Sequence, residues 1–132
     1  MAVTRPIPYS GGVPGGATTV VLFDSMRGVN FPVPANVQNG YATRDMRRVR
    51  LVVYTDQNAT FLIDWSAPGG AQVRTLNGTA TPPAGEPIVA GVPFEKDVLI
   101  LPGRILIKVV TGSAPSIFEV AMDGDLEPGL AQ

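Results

Sequence analysis

The sequence predicts an all-β fold, an antiparallel β-sandwich or flattened barrel of jelly-roll or immunoglobulin-like type with about seven to eight strands. Three observations carry that expectation. Short runs of β-branched and aromatic residues alternate apolar and polar side chains. Turn residues punctuate these runs at short intervals, with 15 glycines and 13 prolines in 132 residues. No segment keeps a helical period.

The size matches one domain, and an apolar fraction of 45% against 16% charged residues is too rich in core-forming groups for a disordered chain. Three regions are expected: a flexible Pro/Gly-rich arm over 1–17, a β-sandwich over 18–124 and a loose tail over 125–132. The arm holds Pro6, Pro8, Pro14, Gly11-Gly12 and Gly15-Gly16, which remove backbone donors and raise the cost of ordering. Its sizeable apolar groups, Ile7, Tyr9 and Val13, together with Arg5, fit a strap that orders along a neighbouring subunit.

The first strand is expected over Thr18–Asp24. The stretch Val29–Val33, interrupted by Pro32, reads as an edge strand or loop, and Ala35–Asp45 as a connection. Met46–Ser66 reads as a hairpin turning at Asp56-Gln57-Asn58. Alternation places Val49, Leu51 and Val53 on one face of its first strand and Arg48, Arg50, Val52 and Tyr54 on the other; Phe61, Ile63 and Trp65 share a face of its second. Further strands are expected over Ala71–Leu76, Phe94–Leu101, Arg104–Thr111 and Ser116–Met122, with a loop over Thr79–Pro87.

Several functions lack their chemistry. With no cysteine there is no disulfide or thiolate site, and with no histidine there is no Ser/His or Cys/His nucleophile pair. Neither cofactor nor metal is expected, and no enzymatic activity. No run of about 20 apolar residues could span a bilayer, so no membrane role is expected. The first ten residues do not form a secretory signal, so synthesis in a cytoplasm is expected, with a mature chain starting near Met1.

Charge is divided along the chain. Residues 1–55 hold six arginines against Asp24 and Asp45, giving +4; residues 56–132 hold four basic and nine acidic residues, giving −5. Three readings of this split stay open: association of copies head to tail, steering of a basic face onto an acidic partner, and chance placement on a solvated surface.

The densest cation cluster is Arg44, Arg47, Arg48 and Arg50. Arg48 and Arg50 share a face and could hold carboxylates or phosphates, or protect a sheet edge. A domain that is acidic overall favours protein contact or edge protection over direct nucleic-acid binding. The candidate protein interface is thus Arg5, Ile7, Tyr9, Val13, Arg44, Arg48 and Arg50. The acids Asp56, Asp64, Glu95, Asp97, Glu119, Asp123 and Asp125 would need a pair about 5–10 Å apart for glycosidase chemistry and read rather as loop acids of a β-sandwich, and Asp123-Gly124-Asp125, lacking the other ligands of a calcium loop, reads as a turn. Asn58-Ala59-Thr60 and Asn77-Gly78-Thr79 match the glycosylation pattern but are explained by turn chemistry. Trp65, in register with Phe61 and Ile63, reads as core rather than as a sugar platform.

The order from Arg48 to about Asp125 carries a resemblance. A strand ends Val53-Tyr54-Thr55-Asp56, a second spans Ala59–Ser66, a Pro-Gly-Gly turn and a third strand follow, and Gly91-Val92-Pro93-Phe94 leads into paired strands and Ser116-Ile117-Phe118-Glu119. This pattern, over about three-fifths of the chain, resembles the small β-sandwich virion proteins of tailed bacteriophages, in particular capsid decoration or cement proteins. The resemblance implies attachment to the outside of an assembled head, often as trimers at local threefold positions, bracing neighbouring subunits. The partners it implies are the major capsid protein and copies of the chain itself. The alternative is a carbohydrate- or receptor-binding module of a tail or appendage, with Tyr41 or Tyr54 as exposed aromatics.

Overall fold

A computed structural model describes residues 3–7, 9, 12–25, 46–67 and 72–126. Among these described residues nine strands form: β1 (Val3–Ile7), β2 (Thr18–Asp24), β3 (Met46–Thr55), β4 (Ala59–Ser66), β5 (Arg74–Thr75), β6 (Glu86–Ile88), β7 (Phe94–Leu99), β8 (Arg104–Thr111) and β9 (Phe118–Leu126). They build two antiparallel sheets, a front sheet in the order β1-β9-β3-β7 and a back sheet in the order β2-β8-β4-β5, with β6 also paired to β4. The molecule is a β-sandwich. Among the described residues no helix is long and apolar enough to cross a membrane.

Alternation fills the space between the sheets. Val49, Leu51 and Val53 of β3 and Phe118 and Met122 of β9 face Phe61 and Ile63 of β4 and Ile105, Ile107 and Val109 of β8, all buried in one cluster. Each fully buried side chain of this size contributes about 1.5–3 kcal/mol through the area it withdraws from water. Phe61 and Phe94 meet across the sheets with ring centroids 4.9 Å apart. Trp65 packs against the same cluster, and its indole Nε1 donates to Pro102 O at 2.7 Å.

Four sequence expectations need correction. The hairpin expected over Met46–Ser66 does not form: β3 belongs to the front sheet and β4 to the back, so Asp56-Gln57-Asn58 is an arch between layers. Long-range hydrogen bonds hold the arch. Asp56 Oδ1 accepts from Ser116 N at 2.9 Å and Ile117 N at 3.2 Å, Asn58 Oδ1 accepts from Ala90 N at 2.8 Å, and Gly91 N donates to Thr55 O at 2.9 Å. The β3–β4, β6–β7 and β8–β9 crossings are therefore clasped together at one end of the sandwich.

The expected arm over 1–17 is not wholly separate from the sandwich. Val3–Ile7 pairs with β9, and Ile7 lies in the core at 3% exposure. An edge strand tolerates Pro6, because alternate N–H groups point away from its single neighbour. Nor does Asp123-Gly124-Asp125 form a turn: β9 runs through it to Leu126, beyond the boundary expected at 124, with Gly124 buried opposite Val49. Finally, the strand expected over Ala71–Leu76 shortens to Arg74–Thr75.

That short strand has a specific cause. β5 and β6 lie along the same edge of β4, but Asp64 faces Thr75 while Phe61, three residues earlier, faces Glu86 instead of the residue at 78 that unbroken pairing would supply. The excursion between them is closed at its neck by Gly85 N donating to Asn77 O at 2.9 Å. Asn77 substitutes for a strand residue: Ile63 N donates to its Oδ1 at 2.8 Å and its Nδ2 donates to Phe61 O at 3.0 Å. Gly85, at φ +98°, lies so close to β4 that a Cβ would sit 2.7 Å from Phe61 O.

Candidate interaction surface

The outer face of the front sheet gathers more of the expected interface residues than any other described surface. In β3, Arg48, Arg50, Val52 and Tyr54 alternate with the buried valines and leucine and so point outward. Register sets their neighbours. Arg48 lies opposite Asp125 of β9, Arg50 between Asp123 of β9 and Asp97 of β7, Val52 between Ala121 and Glu95, and Tyr54 opposite Glu119. On the outer edge, Thr4 and Pro6 of β1 lie beside Asp125 and Asp123.

The face therefore reads across its strands as neutral, acidic, basic, acidic. The divided charge of the sequence meets within one sheet, the basic β3 lying between two acidic strands. Contact is loose: Arg50 Nη2 and Asp123 Oδ2 are 3.8 Å apart, with both side chains about half exposed. Thr4 Oγ1 donates to Asp125 Oδ1 at 3.1 Å.

Between the charged rows lies a depression of about 380 Å³, lined by Pro6, Arg50, Val52, Ala121 and Asp123 and, from beneath, by Ile7, Leu51 and Met122. Its floor is low because Ala121 stands in a row whose other outward members are long acids. Beside it Val52 projects at 36% exposure. Read from the sequence, Asp123-Gly124-Asp125 suggests a turn; the signal that matches the structure is that Arg48-x-Arg50 and Asp123-x-Asp125 share the two-residue period of a strand face.

The remaining expected interface residues lie elsewhere. Ile7 is sealed in the core and is not available to a partner. Tyr9 is half-buried, its ring 5.7 Å from Phe118 and its hydroxyl donating to Gly12 O at 2.8 Å; burial raises its phenol above the usual tyrosine range. Val13 is exposed at 54% but precedes β2 at the end of the sandwich away from Arg48. The backbone of Arg5 lies in β1 opposite Gly124. Arg44 and Tyr41, with the stretch expected as an edge strand at 29–33, fall outside the described residues.

The described carboxylates of the back sheet are committed to partners. Asp24 is fully buried and receives Arg104 Nε at 3.1 Å and Nη2 at 2.5 Å. Asp64 receives Thr75 Oγ1 at 2.6 Å and lies 2.9 Å from Lys108 Nζ. Burial opposes ionisation of Glu86, but hydrogen bonds from Asn77 and Lys96, together with the lysine charge, outweigh it and hold the carboxyl below the usual glutamate range. Among the described residues no group of three acids is placed to hold a metal ion.

No family model and no curated protein sequence matches the chain. Among solved structures, the fold is similar to that of the PBSX exported protein XepA, with a TM-score of 0.57 over 96% of this chain at 14% sequence identity. The chain spans 37% of the length of that protein. At this identity the likeness is one of fold.

Proposed function

We propose that the chain is a structural virion protein of a phage, binding the outside of the capsid and bridging neighbouring subunits, and that it works by association rather than catalysis. The observation that carries this reading is the fold likeness over nearly the whole chain to a protein of the phage PBSX. Two features of the domain support it. Its described buried acids are engaged with fixed partners rather than poised over a cleft, and its front face carries self-compensating charge around an apolar depression. The major capsid protein and copies of the chain are the partners on this reading.

The test is location. Gold-labelled antibody against the chain should decorate head surfaces of purified particles, and removal of the protein should lower the temperature at which heads release DNA. Label confined to tails, or absent from particles, would sink the capsid assignment.

A second reading is favoured by one specific observation, that the similar protein is an exported one of which this chain covers 37%. The chain would then be a recognition module for cell-surface carbohydrate or receptor. It predicts protein free in the lysate and binding on a glycan array, with heads unlabelled.

A further inference from the structure

We propose that the outer face of the front sheet is a self-association surface, on which two copies pack face to face about a twofold axis parallel to the strands and midway between β3 and β9. The inference deepens the assembly reading by naming the occupant of that face, and rests on it only in taking association as the chain's mode of action.

The argument is one of register. Such an axis carries β3 of one protomer over β9 of its partner, and β9 over β3, without moving any residue along the strand direction. Residues that are neighbours in the sheet therefore become partners across the interface. Arg50 lies over the partner's Asp123, Arg48 over the partner's Asp125, and Val52 over the partner's Ala121. The projecting valine enters the depression floored by Ala121, twice, once from each side. β1 lies over β7 with the uncharged Thr4 and Pro6 exposed, so that Asp97 meets Pro6 rather than another charge.

Other placements fail on the same residues. An axis through β3 stacks arginine on arginine. An axis between β3 and β7 pairs Arg50 with Asp97 but sets Val52 on Glu95 and Arg48 on Leu99, leaving the depression unfilled. Of these three placements, the first alone sets both Arg48 and Arg50 over acids and fills the hollow. The loose internal Arg50–Asp123 pair, half exposed on both sides, leaves each group able to take a second partner. A single face of one four-stranded sheet lies at the small end of specific interfaces, so the dimer should be concentration- and salt-dependent.

The experiment uses the full chain and light scattering across a concentration series. Wild type should rise from the monomer mass of 13.8 kDa towards twice that value, with the transition moving to higher concentration as salt is added. Arg50→Asp alone and Asp123→Arg alone should each weaken association on the order of tenfold or more, since each places like charges in contact. Mixing the two variants should restore a heterodimer, because the carboxylate introduced by Arg50→Asp on one chain then faces the guanidinium introduced by Asp123→Arg on the other; the intramolecular pair is broken in both chains and cannot account for recovery. Ala121→Phe, at an exposed position that tolerates bulk, should leave the melting temperature unchanged and abolish the dimer by filling the hollow. A wild-type chain monomeric at every concentration, or a mixture that stays monomeric, would overturn the proposal. Head labelling with a strictly monomeric chain would remove this dimer while leaving the capsid reading in place.

Discussion

The two outer faces of the sandwich carry the same kinds of residue in the same alternation and put them to different uses. On the back sheet, β8 presents Arg104, Leu106 and Lys108 outward, with Asp24 on one neighbouring strand and Asp64 on the other. On the front sheet, β3 presents Arg48, Arg50 and Val52 between rows of acids. The difference is water. The Asp24 side chain is fully buried and that of Asp64 is 8% exposed, whereas Arg50 and Asp123 are both about half exposed. Desolvation turns the back-sheet pairs into structural joints, since a buried carboxylate left alone is costly, while solvent screening leaves the front-sheet pairs weak and exchangeable.

The comparison is broken most directly at Arg104. Arg104→Met keeps much of the apolar stem but removes both guanidinium hydrogen bonds from the buried Asp24 carboxylate, and should cost about 3 kcal/mol in denaturant unfolding. The arginine is itself held more firmly protonated, first by its hydrogen bond to Asp24 against the opposing effect of burial, and also by the aspartate charge. A loss no larger than that of a surface substitution would show that Asp24 finds water, and the distinction between the faces would fall.

The next effect lies at the back-sheet edge. Asn77→Ala removes the bridge to Ile63 N and Phe61 O and the bond to Glu86, and should destabilise the domain by about 2 kcal/mol. Hydrogen exchange should accelerate at Ile63 in particular, because its N–H loses its acceptor.

Glu86 gives an intermediate case, a partly buried pair with Lys96 joining the back sheet to β7 of the front. Its carboxyl is held below the usual glutamate range in the fold, so its contribution is complete above the unfolded value and is lost as pH falls through the lower, folded value. Glu86→Gln should flatten the acid limb of the stability profile and leave its neutral limb parallel to wild type. An unchanged acid slope would move the responsibility to other carboxylates.

How much of this was legible in the sequence follows from the range of the forces involved. Faces were legible: the alternation in Val49-Arg50-Leu51-Val52-Val53 and in Phe61-Leu62-Ile63 assigns inward and outward side chains correctly, because a strand's period is local. Partners were not. Three residues between β3 and β4 suit a hairpin as well as an arch, and the choice is made by Asp56 and Asn58 reaching Ser116, Ile117 and Ala90, which no local pattern displays. The same reason hid the front face. Arg48 and Arg50 read as a free cation cluster until β9 and β7 set acids beside them, and Ile7 read as an anchor for another subunit until β9 supplied its neighbour within the chain.

The smallest expected effect sharpens the comparison from the other side. Arg50→Ala removes an arginine from an arginine–aspartate pair, as Arg104→Met does, yet its unfolding free energy should lie within about 0.5 kcal/mol of wild type, because both partners are already hydrated and the 3.8 Å contact is long. Asp123 left behind simply returns to solvent. If the same variant nevertheless loses association while keeping its stability, then Arg50 contributes little to holding its own sheet together and acts across an interface. A destabilisation approaching that of Arg104→Met would instead mean that the front-sheet charges are structural, and the two faces would differ only in appearance.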